Sequence, residues 1–389
     1  MYPTNVKSVE APVQFDRPQF GAELIEVDNL VRASKARQLF NVDGTGLTVA
    51  VLDTGLRTTH VDFAGRVIAQ RNFTSDNGSD PANATDGQGH GTNVTGIIAA
   101  GATHKGMAPK ANVIPVKVLS NTGGGSFDGI LKALQWVVAN RDAHNITAVC
   151  MSLGDSGNYQ VDDQFAADAM RQVIADLRAR GVAVVVAAGN DYFPHQSQQG
   201  MSYPAIFRET ISVGAVYDFD EGSFSYNSGA QAFSTAPDRI TPFSQRLHPK
   251  VQKDCRTDIF APGAPVTSSG INSDQGESVQ HGTSQATPVT VGVILLIQQY
   301  FQSRTGQLPA VDKLEDWIRK GGVKIHDGDD EHDNVLHTDL DFIRLDAVAA
   351  LEAVRRDLQR AAVETAKPLS ELAEVFKPAR KAKALGAGA

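Results

Sequence analysis

Three short motifs carry the side chains that nucleophilic catalysis needs. Asp53 lies in VAVLDTG, His90 stands between glycines in GQGHGTNVTG, and Ser284 lies in QHGTSQATP. A serine hydroxyl is a weak nucleophile at neutral pH and needs a neighbouring base, and imidazole titrates near that pH. The imidazole in turn needs a carboxylate that fixes its tautomer and stabilises its charged form. We therefore interpret Ser284 as nucleophile, His90 as general base and acid, and Asp53 as the orienting carboxylate.

A fourth motif supplies a hydrogen-bond donor for the negative charge that develops during acyl transfer. The motif AAGN closes the most apolar segment of the chain with Asn190, whose side-chain amide can donate. The backbone N–H of Ser284 can donate beside it, and the start of a helix adds partial positive charge there. We therefore interpret Asn190 and Ser284 as the two donors of an oxyanion hole.

The segments between the motifs predict an α/β fold with a parallel sheet. Short apolar, β-branched segments alternate with segments of helical periodicity, and the predicted strands are apolar on both faces. We predict strands at 47–53, 112–119, 146–153, 181–189, 209–216 and 257–263, and helices at 91–101, 127–140, 165–180, 313–322 and 342–359, with a long helix from Thr283. Ligands on such sheets bind beyond the carboxyl ends of the strands. The four motifs lie at those ends or at helix starts.

Composition excludes several classes of protein. The 389 residues are 41% hydrophobic and 21% charged, which is typical of a globular chain and not of a disordered or fibrous one. The net charge of −8 excludes the basic surface of a nucleic-acid binder, and two cysteines cannot form a disulfide framework. No apolar segment approaches the roughly 18 residues of a membrane span. We expect a cytoplasmic protein, or a secreted one whose signal peptide and propeptide have been removed.

The four motifs together resemble the subtilisin family of serine proteases, the subtilases, over residues 30–357. The resemblance implies a three-layer α/β/α sandwich with a mostly parallel sheet, which agrees with the pattern of strands and helices. It also implies a serine endopeptidase that cleaves peptide bonds through an acyl-enzyme and needs no cofactor for its chemistry. The expected partner is a polypeptide substrate.

The resemblance further assigns two backbone segments and one side chain to substrate binding. They are Ser152, Leu153 and Gly154 in MSLG, Gly123, Gly124 and Gly125 in NTGGGS, and Ser202 before a Tyr-Pro pair. The first segment pairs with the substrate backbone, and the glycines form the opposite edge. A substrate that becomes a strand between two others must be extended, so unfolded polypeptide is favoured over folded protein. The serine lies at the floor of the first specificity pocket.

The chain divides into three predicted parts. Residues 1–45 are polar and form an N-terminal extension, which we expect to lie over the cleft, and residues 46–357 form the peptidase domain. Within that domain, 217–257 breaks the alternation and is predicted to be a long loop insertion. Residues 358–389 are rich in Ala, Lys and Glu and are predicted to be a loose helix with a disordered end.

Calcium is the one metal that the resemblance raises. Asp62 matches a family calcium ligand, although the loop near 100–106 that supplies the other ligands is shortened. A separate acidic run offers further oxygen ligands of the kind that calcium prefers, namely Asp327, Asp329, Asp330, Glu331 and Asp333. A solvated acidic loop is the competing interpretation of that run.

Two alternative functions are compatible with the same motifs. The first is a specialised protease or transpeptidase that acts on one precursor peptide, and its product would distinguish it: a new amide in place of a free carboxylate. The second is an inactive subtilase scaffold that binds a partner, which the intact set of three catalytic residue types argues against.

The residue after the serine generates the first testable prediction. Gln285 stands where many subtilases have methionine, and Asn93 stands where histidine is frequent. A methionine thioether is readily oxidised to the sulfoxide, whereas an amide is not. We predict that hydrogen peroxide inactivates this enzyme slowly and that Gln285→Met inactivates faster, as measured by residual peptidase activity over time. Rapid loss of activity by the unaltered enzyme would contradict the assignment.

Overall fold

The structure is a computed structural model that describes residues 13–14 and 24–375. Its α-helices are α1 Leu24–Val31, α2 Ala33–Phe40, α3 His90–Ala99, α4 Phe127–Asn140, α5 Ala169–Ala179, α6 Thr283–Thr305, α7 Val311–Lys320 and α8 Ala347–Val375. Its strands are β1 Val13–Gln14, β2 Thr48–Asp53, β3 Arg71–Asn72, β4 Asn112–Lys117, β5 Ile146–Met151, β6 Ala183–Ala187, β7 Ile211–Tyr217, β8 Phe224–Ser225, β9 Gln231–Ser234, β10 Ile259–Ala264, β11 Val266–Ser269, β12 Glu277–His281, β13 Val323–Asp327, β14 His332–Asp333 and β15 Leu340–Arg344. None of the helices in this part of the chain is long and apolar enough to cross a membrane.

A central sheet of nine strands organises the molecule. Its order is β13-β15-β10-β7-β6-β5-β2-β4-β3. Every neighbouring pair is parallel except β13 with β15 at one edge. The predicted mostly parallel sheet is therefore confirmed. Two smaller antiparallel sheets flank it, one built from β1, β12 and β11 and the other from β14, β9 and β8.

Alternate residues of the central strands belong to two different hydrophobic cores. In β2, Val49 and Val51 pack into a core that also contains residues of α2, α3, α6, α7 and α8. Ala50 and Leu52 of the same strand pack into a second core with residues of α4 and α5. Successive side chains of a strand point to opposite faces, so a strand covered by helices on both sides must be apolar throughout. This confirms the three-layer α/β/α sandwich.

Two segments differ from their predicted secondary structure. The helix predicted at 342–359 begins as strand β15, in which Phe342 is buried and packs edge-on against Phe260 at 5.1 Å. Apolar residues with helical spacing over a few positions also fit an alternating strand, and pairing with β10 and β13 decides in favour of the strand. The segment 217–257, predicted to be a long loop, contains β8, β9 and a buried stretch from Ile240 to Leu247.

The two ends of the chain are attached to the main body where the structure describes them. Helices α1 and α2 contribute Val27, Val31 and Phe40 to the first core. Strand β1 pairs with β12, so that the backbone of Val13 lies opposite His281. Residues 1–12 and 15–23 of the predicted extension, and 376–389 of the predicted tail, lie outside the described residues, and the three-part division stays a prediction.

Ion pairs tie the acidic run to the segment 217–257. Asp327 is fully buried, and its carboxylate lies 3.1 Å from Nε of Arg246 and 3.1 Å from Nδ1 of His337. The other ring nitrogen of His337 lies 3.3 Å from Asp333. The hydrogen bonds that His337 donates to both carboxylates raise its pKa to about 10. The run is therefore held by internal cations at these positions, and is not simply a solvated loop.

This histidine gives a pH-dependent prediction for stability. Because its pKa rises from 6.5 to about 10 on folding, the stabilisation is fully present below pH 6.5 and is lost as the pH rises through 10. We predict that His337→Gln lowers the melting temperature by about 2 °C or more at pH 6, and that the difference from the unaltered protein shrinks toward pH 10. Thermal unfolding across this range measures both effects. The variant His144→Gln is the control, and a difference independent of pH would contradict the prediction.

Candidate active site

The parallel sheet brings the predicted site residues to one edge. Asp53 is the last residue of β2, Ser152 follows β5, and Asn190 follows β6, and these three strands are neighbours in the sheet. His90 is the first residue of α3, and Ser284 is the second residue of α6. The carboxyl ends of parallel strands share an edge, so residues far apart in sequence become neighbours there.

A short hydrogen bond joins Asp53 and His90. Oδ1 of Asp53 accepts from Nδ1 of His90 at 2.7 Å and from the backbone N–H of Thr54 at 2.7 Å. An ionised carboxylate only accepts, so Nδ1 carries a proton, and in the neutral imidazole Nε2 then carries the lone pair. Nε2 is buried and makes no hydrogen bond with any described residue. The imidazole is therefore oriented by the carboxylate and presents an unengaged basic nitrogen.

The loop before His90 is organised by Asp86, which the sequence reasoning missed. Its carboxylate accepts from the backbone N–H of Gly89 at 2.8 Å and from both the N–H and the hydroxyl of Thr92 at 2.9 and 2.7 Å. An aspartate before a glycine-rich turn and a helix start is a capping signal, and it was available in the sequence. A Cβ on Gly91 would clash with the carbonyl oxygen of Gly55, so glycine is required for α3 to approach β2.

The hydroxyl of Ser284 is not bonded to His90 in this structure. Its Oγ donates to the carbonyl oxygen of Ser152 at 3.4 Å, a long hydrogen bond. Ser152 in turn donates its hydroxyl to the carbonyl oxygen of Ser284 at 2.7 Å, which fixes the start of α6 against the end of β5. The structure thus joins Asp53 and His90 directly, whereas Ser284 is held by its neighbour Ser152. Catalytic hydrogen bonds are often long or open in the absence of substrate.

The amide of Asn190 has a defined orientation. Its Oδ1 accepts from the backbone N–H and from the hydroxyl of Thr283, both at 2.9 Å. A backbone N–H can only donate, so the oxygen must face Thr283 and Nδ2 points elsewhere. A Cβ built on Gly282 would lie 3.3 Å from this Nδ2 and 3.4 Å from the backbone nitrogen of Ser284. The two predicted donor nitrogens therefore lie close to the same point beside Gly282. Thr283 was missed because only the fold brings it to Asn190.

A pocket beside Ser284 contains several predicted substrate-binding residues. Its lining is Leu153, Gly154, Ser156, Ala187, Gly189, Asn190, Asp191, Ser202, Thr283 and Ser284. Ser202 is buried, and a Cβ on Gly154 would lie 2.6 Å from its hydroxyl, so glycine keeps that wall open. Ser152 is fully buried and lies behind the wall.

The glycines of the opposite edge form a tight hairpin-like loop. Leu119 and Gly125 are bridged in antiparallel fashion, and Ser120 donates its backbone N–H to Gly124 at 2.7 Å. Gly123 has a left-handed φ of +85°, which favours glycine. No atom lies within 4 Å of a Cβ built on Gly124, so the backbone there borders open space.

Asp62 is satisfied entirely by donors of the protein. Its Oδ1 accepts from the backbone N–H groups of Ala102 and His104, both at 3.1 Å, and its Oδ2 accepts from Nδ1 of His104 at 2.8 Å and from the hydroxyl of Ser269 at 2.7 Å. Burial alone would raise the pKa of Asp62, but these hydrogen bonds outweigh it and hold the pKa well below its ordinary value. A calcium ion needs these same oxygens, so the residues present do not fit one here.

Carbonyl oxygens around Asp62 are also engaged. The guanidinium of Arg66 donates to the backbone carbonyls of Asp62, Ala99 and Pro109. Backbone carbonyls are the other common calcium ligands, and these three already bind a cationic side chain. Arg66 was missed in the sequence because nothing in its local context indicates that it reaches Pro109, which lies 43 positions further along the chain.

A second acidic group is likewise neutralised from within. Asp327, Glu331 and His337 have potential ligand atoms within 4.8 Å of one another. Both ring nitrogens of His337 already contact carboxylates, and the guanidinium of Arg246 lies against Asp327. A histidine that shares its protons with two carboxylates is a cation and not a metal ligand, so this group does not fit a divalent metal either.

Comparisons with known proteins agree with this architecture. Residues 44–320 match the model of the subtilase family. The chain is 31% identical over 287 residues to the major intracellular serine protease of Bacillus subtilis, which covers 72% of this chain and 78% of that protein. It is 30% identical over 259 residues to the intracellular serine protease of Paenibacillus polymyxa, covering 66% of this chain and 68% of that protein. The chain therefore belongs to the subtilase family and is a subtilisin-like serine endopeptidase.

Proposed function

We propose that this endopeptidase cleaves peptide bonds with Ser284 as nucleophile, His90 as general base and acid, and Asp53 as the carboxylate that orients the imidazole. The observation that carries the proposal is the buried 2.7 Å hydrogen bond between Asp53 and His90, beside a basic Nε2 with no other partner in the described residues. A buried imidazole with its tautomer fixed in this way is poised to accept a proton.

The reaction proceeds in two transfers of the acyl group. The hydroxyl of Ser284 turns from the carbonyl of Ser152 toward Nε2 of His90, which takes its proton as Oγ attacks the substrate carbonyl carbon. The imidazolium, stabilised by Asp53, then protonates the departing amine, and the C–N bond breaks to leave an ester on Ser284. Water attacks this ester with the same histidine as base, releasing the carboxylic acid and restoring the serine.

The negative charge of each tetrahedral intermediate falls on the former carbonyl oxygen. We assign the backbone N–H of Ser284 and Nδ2 of Asn190 as its donors, because both nitrogens lie close to one point beside Gly282. Thr283 holds the amide in this orientation before substrate binds. Donors that are fixed in advance need no reorganisation as charge develops, which is the source of their effect on the rate.

The substrate is an extended polypeptide segment. Its backbone lies between the strand end Ser152–Gly154 and the loop Gly123–Gly125, and the side chain before the scissile bond enters the pocket that contains Ser202. Support comes from the open space beside Gly124 and from the position of Leu153 and Gly154 in the wall of that pocket. Pairing with two edges requires an extended backbone, as in β-strand addition.

We also propose a cytoplasmic location, on the basis of the two relatives that are named intracellular proteases.

Active-site labelling tests the assignment of the nucleophile. We predict that a fluorophosphonate probe labels the unaltered protein at Ser284, as located by mass spectrometry of the tryptic peptide, and that Ser284→Ala abolishes both labelling and peptide hydrolysis. Ser303→Ala, a serine on the same helix with its hydroxyl on the carbonyl of Tyr300, is the matched control and should be labelled normally. Asn190→Ala should lower kcat by about 10²–10³-fold, the magnitude known for the corresponding donor in this family. An unlabelled wild-type protein would refute the mechanism.

Metal removal tests the proposal that Asp62 works without calcium. We predict that the melting temperature is the same in EDTA and in millimolar calcium, because an ion that does not bind the folded state cannot stabilise it. His104→Ala should lower the melting temperature in both buffers, since it leaves a buried carboxylate short of a donor. Calcium that raises the melting temperature of the unaltered protein, and fails to do so in Asp62→Asn, would show that the ion displaces His104.

A further inference from the structure

The residue after the nucleophile belongs to a buried chain of amides. Gln285 is fully buried, and its Nε2 donates to Oε1 of Gln280 at 3.0 Å and to Oδ1 of Asn93 at 3.3 Å. Gln280 lies in β12, and Asn93 lies in α3, one turn after His90. A single side chain on α6 is therefore bonded both to the helix of the proposed base and to the strand that leads into the nucleophile.

One backbone carbonyl fixes the orientation of every amide in this chain. Nδ2 of Asn93 donates to the carbonyl oxygen of Ser278 at 2.9 Å and to its hydroxyl at 3.0 Å. Because a carbonyl oxygen only accepts, Nδ2 must face Ser278 and Oδ1 must face Gln285. Gln285 must then present its Nε2 to Asn93, and its Oε1 points away. The hydrogen bonds among these three amides can therefore run in one direction only, so the amides form a specific link and not an adaptable cluster.

The chain also reaches the residue before His90. Nε2 of Gln280 lies 3.5 Å from the carbonyl oxygen of Gly89, which precedes the first residue of α3. Both flanks of His90, at Gly89 and Asn93, are thus attached through Gln280 and Gln285 to the elements that carry Ser284. Apolar packing sets the distance between two helices but constrains only loosely how far one can slide along the other. Directional hydrogen bonds also fix that register.

The remaining oxygen of Gln285 lies close to Gly282, beside the proposed oxyanion donors. Oε1 is buried and has no hydrogen-bond partner among the residues that the structure describes. It lies 3.1 Å from a Cβ built on Gly282, the same point that is 3.3 Å from Nδ2 of Asn190 and 3.4 Å from the backbone nitrogen of Ser284. An unpaired buried carbonyl destabilises the fold. An unpaired carbonyl oxygen beside the proposed oxyanion donors indicates that the Gln285 amide serves the site and not only the stability of the fold.

We propose that Asn93, Gln280 and Gln285 are positioning residues that set the register between α3 and α6, and so bring Nε2 of His90 and Oγ of Ser284 to the separation that proton transfer requires. The proposal rests on the proposed function, since it concerns the same two reacting groups. It assigns a role to the two positions, 93 and 285, at which the chain departs from the residues frequent in its family.

A double-mutant cycle tests the link. The variants are Gln285→Ala, Asn93→Ala and the two combined, assayed with a peptide substrate for kcat, KM and the pH profile of kcat/KM. A misplacement of about 1 Å between reacting groups costs up to 10²-fold in rate. We expect each single variant to lower kcat about 10-fold with KM within twofold. The double variant should be no slower than the slower single variant, because both changes break one link. The acid limb of the pH profile should not move, since Asp53 still holds His90.

The matched control is another buried glutamine on the same helix. Gln298 donates its Nε2 to the carbonyl oxygen of Thr147 at 2.9 Å, and its Oε1 likewise has no partner among the described residues. Gln298→Ala should lower the melting temperature as much as Gln285→Ala and leave kcat unchanged. The proposal is overturned if the control lowers kcat equally, if the single effects multiply in the double variant, or if kcat does not change. Fluorophosphonate labelling of Ser284 in the unaltered enzyme separates these outcomes from a failure of the proposed function.

Discussion

The hydrogen bond between Asp53 and His90 is the interaction on which the site depends. A buried carboxylate is costly unless it is paired. Here Oδ1 is paired with the imidazole and one backbone N–H, while Oδ2 has no partner in the described part of the chain. The fold holds this charge at the end of β2, an interior strand of the sheet, where the side chain is fully buried. Burial raises the cost of the carboxylate's charge, and it also strengthens the attraction of that charge for the imidazolium of the proposed mechanism.

The remaining architecture follows from the need to bring other groups to that carboxylate. The parallel strands β2, β5 and β6 all end at the same edge of the sheet. The helices that begin with His90 and next to Ser284 start at that edge. Few direct bonds between the reacting side chains are needed in the resting state, because neighbours hold each one: Ser152 holds Ser284, and Thr283 holds Asn190. Preorganisation thus resides in the groups that surround the site, and the final contact is left for the substrate to complete.

Local sequence patterns predicted the sheet, the long helix from Thr283 and the positions of the four motifs, because continuous apolar segments and glycine-flanked polar residues are local signals. They could not predict partners that only the fold brings together. Thr283 reaches Asn190 across 93 positions, and Ser269 reaches Asp62 across 207. The helix predicted at 342–359 was started too early for the same reason: residues 342–344 belong to strand β15, whose pairing with β10 lies outside any local window.

Asp62 and Asp327 show a shared solution to the problem of a buried negative charge. Each is fully buried, and each carboxylate is held by side chains of the same chain: Asp62 by His104 and Ser269, and Asp327 by His337 and Arg246. A tethered side chain is always present at its site, whereas a bound ion stabilises only in proportion to its free concentration. At Asp327 the partner imidazole also makes stability depend on pH, because folding raises the pKa of His337 to about 10.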